Sequence, residues 1–564
     1  MTILSSSATR SLVTTLFIVL VSVPSTHAQS AQVVNTVHNL SVSGPGPIKA
    51  MDEEQVCIFC HTPHEALPTA PLWNRNDPTT TFSIYPSGGS MQSMPGQPDG
   101  SSRLCLSCHD GTSAVGLVRN PNQTFAMSGV SVSGALPATS ASNLGTSLAD
   151  DHPVSIVPSL QDPEIALPSD GDAVQLDASG KVQCRSCHNP HDNSIGHFLV
   201  RTTESGDLCI TCHPKGDWAA SYHGAPTAPD FAQLITQGCG SCHDDHSAAV
   251  AARLLLASEE ALCFSCHDGT KDDSLEVSGA TDMVPEFQKS YIHPITLNPG
   301  VHNPGEGPIG STPTPSSFLP EEDPNALRHV ECVDCHNPHS VNPNDIIGGI
   351  SGALANNWGV SENGSKVYPA TQEYQVCFKC HSDSENLPSG ESNKRLEFIT
   401  SNGSYHPVIG PGTNSSCPSL ISPWTVNSTM NCSECHSNST TTGPAGPHGS
   451  MYEAILKLNY NTAYGVSEST TAYALCYSCH SRTTLSTRNS FRYHSRHITS
   501  GQIPCIGCHD SHGSPNTHLQ NWTYSNDPDI GATSTGRLEF IDSGNGTGTC
   551  YVMCHGKDHN PRSY

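Results

Sequence analysis

The sequence predicts mostly irregular coil with short helices, low in regular secondary structure and wrapped around a core that side chains do not supply. Three observations predict this. Hydrophobic residues make up 35% and aromatics 6% of the 564 residues, too little apolar side chain to offset the entropy of ordering so long a chain. Gly (47) and Pro (43) are plentiful, and both interrupt helices and strands. Finally, the 25 Cys and 31 His fall in register along the chain, as they do not in a disordered segment.

The N-terminus reads as an export signal. Arg10 is the only charge ahead of the apolar run Leu12 to Val23, and Thr26-His27-Ala28 is a small-residue cleavage site, which assigns residues 1-28 to the signal. The run is too short for a retained anchor. The first Cys is Cys57, so no thiol at the cleavage point carries a lipid. No later stretch predicts a transmembrane segment.

The cysteines come next. Cys57-Ile-Phe-Cys60-His61 is a Cys-x-x-Cys-His, and the pattern recurs at Cys105/Cys108/His109, Cys184/Cys187/His188, Cys209/Cys212/His213, Cys239/Cys242/His243 and Cys263/Cys266/His267. It continues at Cys332/Cys335/His336, Cys377/Cys380/His381, Cys432/Cys435/His436, Cys476/Cys479/His480 and Cys505/Cys508/His509, making eleven copies. A twelfth, Cys550-Tyr-Val-Met-Cys554-His555, has one extra residue. A scrambled chain of this composition contains roughly 0.06 copies of the pattern. Two thiols on one short turn reach the two vinyl groups of a single haem, and the adjacent His supplies the proximal iron ligand. Zinc sites do not need a His after every Cys pair, and Cys two residues apart rarely bridge each other. A redox Cys-x-x-Cys would occur once rather than twelve times. The expected cofactor is therefore haem c, twelve per chain. If the irregular site is empty, Cys417, Cys550 and Cys554 are three free thiols.

The motifs fall into six pairs, whose first Cys are separated by 48, 25, 24, 45, 44 and 45 residues. This divides the chain into 29-145, 146-220, 221-285, 286-395, 396-485 and 486-564, one haem pair each. A second His follows the first motif of most pairs at three places: His64, His191, His246, His339 and His512. The fifth pair lacks it, and His448 is its displaced substitute. Upstream of each pair lies another: His38, His152, His223, His293, His406 and His494. Together these supply the twelve distal ligands that twelve bis-His haems require. His197, His302, His329, His497, His518 and His559 are left without a role.

Six units of this kind resemble the doubled C-x-x-C-H motif of multihaem c-type cytochromes, from about His38 to the C-terminus. The likeness is carried by Phe59-Cys60-His61-Thr-Pro-His64, Pro71-Leu-Trp73 and Cys105-Leu-Ser-Cys108-His109-Asp-Gly-Thr. The ending Thr549-Cys550-Tyr-Val-Met-Cys554-His555-Gly-Lys-Asp-His559 is similar to a C-terminal haem unit of that family. The resemblance implies that the His three places after a first motif ligates a neighbouring haem. Some relatives are outer-surface cytochromes of metal-reducing bacteria, and some of those polymerise into filaments.

Haems at this density must pack on one another, with the chain around them. Short helices are expected at the attachment motifs, and Ala248 to Leu262 reads as the best longer helix. Leu160 to Gly180 and Leu297 to Glu322 read as linkers. Two imidazoles on one iron leave no open position, so the residues read as a path for electrons with no catalytic residue. The alternative is a multihaem reductase or oxidase of a small nitrogen or sulfur species with one open haem, the Cys550 site being the candidate. The formal net charge of −26 disfavours nucleic acid as a partner. It suits redox partner proteins, other copies of the chain in a filament, or extracellular metal and mineral acceptors. Residence outside the cell is expected over the periplasm. Under the filament reading, His38 could reach a haem of the next subunit. Cys417 reads as a tolerated thiol.

Overall fold

The computed structural model describes residues 33–68, 72–85, 93–160, 164–225, 232–269, 280–295, 330–342, 346–347, 349–383, 387, 391–487, 490–522, 530–544 and 546–564. The export signal, the linker over 297–322, His302 and His329 lie outside them. The described chain is mostly turn and coil, as its composition predicts. Its longest helices, Gly100–His109 and Glu373–His381, each end on an attachment motif. Most strands are two residues long.

Apolar side chains form several small cores in place of one. Trp358, Val360, Tyr374, Phe378, Phe398, Val408 and Ile409 make one cluster, and Ala50, Phe59 and Val118 another. No helix among the described residues is long and apolar enough to cross a membrane.

Local capping explains why the motif turns form. Before Cys184–Cys187, the Gln183 and Ser186 side chains satisfy each other's backbone N–H groups, and Glu331 and Asp334 do the same before Cys332–Cys335. Such reciprocal caps stabilise a single turn that is too short to persist alone. The segment 164–180 is coil, as expected of a linker, yet it is anchored. Val174 is buried there, and Asp177 accepts a hydrogen bond from Gln183.

Two expectations are corrected. Ala248 to Leu262 is not one helix. It breaks into a short turn, Ala252–Leu254, and a helix, Glu259–Phe264. Within that turn Arg253 and Leu254 take φ of 64° and 54°, and just after it Leu255 bridges back to His243. The Arg253 carbonyl accepts from His243 Nδ1 at 2.9 Å. The segment folds back on its own attachment motif, and that tertiary bond overrides helix propensity.

The twelfth motif is not helical either. Cys550 and Cys554 lie on the strand Thr547–Cys554, flanked by Glu539–Gly544 and Lys557–Ser563 in an antiparallel sheet. The extra residue puts the two Cys four places apart, and four residues of strand span about 13 Å.

Successive pairs are stitched by short ladders. Tyr291–Ile292 pairs with Gly449–Ser450, and Ser404–Tyr405 with Gly513–Ser514. Each ladder joins the residues before an upstream distal His to those after the downstream distal His of the following pair.

Candidate functional site

The eleven regular motifs share one local form. In nine, from Cys57/His61 to Cys505/His509, the His amide donates to the carbonyl of the first Cys. The other two, at His109 and His381, end the longest helices. One helical turn thus sets both thiols on one side and sends the imidazole off its end. Among the described residues, no motif's own Cys, Cys and His bring their donor atoms within 4.8 Å of one another. That rules against zinc, whose ligands converge on a single ion.

The imidazoles instead meet across the chain in pairs. Five motif His that open a pair face a downstream His from the next pair: His61 with His191, His188 with His246, His243 with His339, His336 with His448 and His436 with His512. Five that close a pair face their own upstream His: His109 with His38, His213 with His152, His267 with His223, His381 with His293 and His480 with His406. The last opening motif, His509, faces His494. Ring centres in all eleven pairs are 6.0–6.5 Å apart. Two imidazoles sharing one metal ion, with nitrogen bonds of about 2 Å and ring centres roughly 1.1 Å behind the nitrogens, lie about 6 Å apart. The residues at these eleven sites therefore fit a bis-His haem.

Burial keeps the rings in the ligating form. It lowers the pKa of His213, His381 and His480 to about 4, and that of His339, His448 and His494 to about 3. Neutral imidazole is the species that binds metal.

Thiol contacts order the sites. The first Cys of each closing motif is within hydrogen-bonding reach of the first Cys of the next pair: Cys105 with Cys184, Cys209 with Cys239, Cys263 with Cys332, Cys377 with Cys432 and Cys476 with Cys505. Within pairs the second Cys of one motif feels the next motif, as Cys60 feels Cys108 and Cys187 feels Cys212. Burial, with those neighbours adding to it, pushes the Cys60 and Cys187 thiols up to about 12. The motifs therefore follow one another in space as they do in sequence.

The attachment thiols do not all face the junctions between pairs. Cys266, Cys380 and Cys479 are the second thiols of three closing motifs, half-buried like their motif partners. The junctions between pairs are made by their partners Cys263, Cys377 and Cys476 instead. The physical reason is the single turn, which sends its first thiol across the junction and keeps its second beside its own backbone. Cys266 Sγ lies 3.8 Å from Ser265 Oγ, and Cys479 Sγ lies 3.6 Å from Ser478 Oγ. Cys380 stands on the last turn of Glu373–His381. Cys266 and Cys479 still face their own pair, where they add to the upward shift of the Cys242 and Cys435 thiols, each to about 11.

Hydrogen bonds to the second ring nitrogen show what sequence reading missed. Downstream of an opening motif the chain makes a tight turn with positive φ, and a carbonyl there receives the proximal Nδ1. The acceptors are His197 O for His188, Arg253 O for His243, Ala454 O for His436 and His518 O for His509. His197 and His518 thus contribute main-chain carbonyls. Distal His of closing motifs are held differently. His38 bonds Pro190 O at 3.1 Å and His223 bonds Pro338 O at 2.9 Å. His293 bonds Pro447 O, and His406 bonds Ser511 O. Each acceptor immediately precedes the distal His of the neighbouring opening motif. In the Cys-x-x-Cys-His-Asn-Pro-His runs ending at His191 and His339, the Pro therefore supplies the carbonyl that orients a second imidazole beside the first.

Buried cations sit at two places along the series of motifs. Arg75 is 3% exposed and donates to the carbonyls of Ser107, Ala114, Val115 and Leu117. Lys379 is 1% exposed, donates to Asp334 O and lies 4.6 Å from the Trp358 ring centre.

Some residues are not drawn into a His pair. His64 has no imidazole opposite it among the described residues. His555 packs on Tyr464 with ring centres 4.5 Å apart, and the strand separates Cys550 from Cys554, so this site does not fit haem in the same way. Cys417 Sγ lies 3.5 Å from Ser419 Oγ, which in turn reaches His480 Nδ1 at 2.9 Å. His497 bonds Tyr493 O, and His559 lies beside it at the C-terminal sheet.

Two stretches of the chain, residues 178–217 and 233–272, match the family model for the doubled CXXCH motif. Comparison with curated proteins finds no match. The matched stretches hold the second pair and the third, Cys184 to His213 and Cys239 to His267. These two stretches carry the doubled CXXCH motif, consistent with the multihaem c-type cytochromes; CXXCH motifs indicate covalently bound haem c and suggest electron transfer.

Proposed function

We propose that this is an exported cytochrome that carries electrons along a single file of eleven or twelve haems to or from an acceptor outside the cell. The observation that carries this is the set of eleven His–His pairs at 6.0–6.5 Å. Haem iron, when bound, supplies a one-electron couple. With haem bound, the two imidazoles of each pair would hold its iron and leave no place there for a substrate. Thiol neighbours keep consecutive sites in contact range, and backbone carbonyls fix ring orientation so that little rearranges on reduction. The acidic surface suits ferric minerals and cationic redox proteins as partners. The rival reading, a reductase or oxidase with an open haem, has its candidate at Cys550/Cys554/His555.

A filament is the finer form of this proposal. His38, which could have served a neighbouring subunit, faces His109 within its own chain. His64 takes over that role. Each His three places after an opening motif serves the opening motif of the pair before it, and continuing that rule backwards sends His64 to a haem of another copy. Negative-stain images of wild type and His64→Ala test this: filaments lost in the variant support it, and filaments kept contradict it.

Electron carriage is tested by mixing the fully reduced protein with ferric oxide particles, which touch only its surface. Reoxidation of the whole haem absorbance is expected. A residue of haems that stay reduced would contradict a connected file.

A further inference from the structure

Two distal imidazoles differ from the rest in what faces their second nitrogen. His246 Nδ1 lies 3.1 Å from Asp151 Oδ1, and His512 Nδ1 lies 2.9 Å from Glu397 Oε2. Both acids are shielded, Asp151 at 5% and Glu397 at 17% side-chain exposure. Among the described residues no other imidazole of the eleven pairs has a carboxylate at its second nitrogen. The remaining acceptors are carbonyls and hydroxyls, all uncharged.

The two placements match. His246 faces His188 of the third motif and His512 faces His436 of the ninth, six motifs further on. Each acid comes from the same pair as the motif it serves, 33 and 35 residues ahead of Cys184 and Cys432. The buried cations have the same period. Arg75 stands at the first and second motifs, and Lys379 at the seventh and eighth.

We propose that Asp151 and Glu397 are positioning residues that make the haems of the third and ninth motifs the lowest in potential, so that the file consists of two like halves. The inference rests on the haem reading above. An anionic acceptor draws the Nδ1 proton and makes the other nitrogen a stronger donor. A stronger donor stabilises ferric over ferrous iron and so lowers the potential. A neutral carbonyl does this weakly. Arg75 and Lys379 act the opposite way on the sites just before each low one, since a buried positive charge favours the reduced state. Each half therefore runs from high-potential sites down to a low one and up again, and the low sites act as steps that an electron must climb.

The test is a spectroelectrochemical titration of the whole protein as wild type, Asp151→Asn, Glu397→Gln and the exposed control Glu204→Gln, with haem content measured on each sample. In wild type the lowest-potential wave should carry about one-sixth of the haem absorbance. Each of the two variants should move about half of that wave upward, and the control should move none. The oxidised samples also give an electron paramagnetic resonance readout that a merely structural role would not move: one low-spin signal should change per variant. Full haem content with an unmoved wave in both variants would overturn the inference and leave the haem reading standing. Absent haem in wild type would overturn the haem reading itself. Asp151→Glu, which keeps the charge, should restore the wave, and failure to restore it at full haem content would also count against the proposal.

Discussion

Sites that open a pair and sites that close one use the same motif and are built in opposite ways. The first five opening sites face a His from the next pair, with the two rings near parallel, 11–31° apart, while the last, His509, faces its own upstream His494 at 50°. Closing sites take it from their own pair, and the rings are steeply crossed at 52–76°. At four opening sites the proximal ring is anchored by a carbonyl from a positive-φ turn, whereas at four closing sites the facing ring is anchored by a carbonyl at the junction between pairs, and at the fifth His152 bonds Pro153 O. Imidazoles that face each other across pairs tie each unit to its neighbour, and those that face within a pair lie at a steeper angle. With small apolar cores, this interlocking does what a hydrophobic core does elsewhere.

The comparison can be broken at one junction. His339→Ala and His223→Ala act on neighbouring imidazoles of opposite class. Each should open one iron, read as carbon monoxide binding to one haem's worth of the reduced protein. His223→Ala also loses the bond to Pro338 O, so it should unfold with about 1 kcal/mol less denaturant stability than His339→Ala. Equal stability would deny the junction bond its role.

Arg75 lies between an opening site and its closing partner. Arg75→Ala removes donors from four carbonyls, two of them in buried bonds, and should cost about 2–4 kcal/mol in denaturant unfolding. The two classes should also separate spectroscopically. Electron paramagnetic resonance of the oxidised protein should show rhombic low-spin signals from near-parallel rings and highly anisotropic ones from crossed rings, in comparable amounts. A single class would contradict the alternation.

A smaller effect is expected at Glu259, which heads the helix of the sixth motif and accepts from Val333 N of the seventh at 2.8 Å. Burial, aided by Asp334 and Glu260, pushes its carboxyl up to about 7. A carboxyl raised in the folded state favours folding most below its unfolded value near 4.5. That advantage is lost as pH rises to about 7 and is then flat. Stability should fall between pH 4.5 and 7 in wild type, and Glu259→Gln should reduce the fall. The smallest effect is at Ala454, whose φ is 56°. Ala454→Gly should relieve backbone strain and be neutral to about 1 kcal/mol stabilising, and a marked loss would show the turn is not strained.

Much of this was legible in the sequence for a chemical reason: haem attachment demands fixed residue types at fixed spacing. The ligand partners were not legible, because a His cannot announce which pair it serves when the answer lies 130 residues away, as between His61 and His191. Nor does spacing tell the junction thiols from Cys266, Cys380 and Cys479, since the two Cys of a motif differ only in which side of the turn meets a neighbour. The segment Ala248 to Leu262 misled because its apolar residues have helical spacing, while the carbonyl of Arg253 is required by His243. A signal was present. Phe198-Leu199, Leu254-Leu255, Ile455-Leu456 and Leu519 recur at matching places after opening motifs, which a helix unrelated to them would not do. Asp151 and Glu397 could not be found from spacing, since one acid beside a distant His leaves no local pattern.

The most direct test is the visible spectrum of the fully reduced protein before and after carbon monoxide, with haem content measured on the same sample. Eleven or twelve haems per chain are expected, at least eleven of them unchanged by carbon monoxide, because two imidazoles would already hold each iron. Substantially fewer haems, or a shift involving several of them, would contradict it.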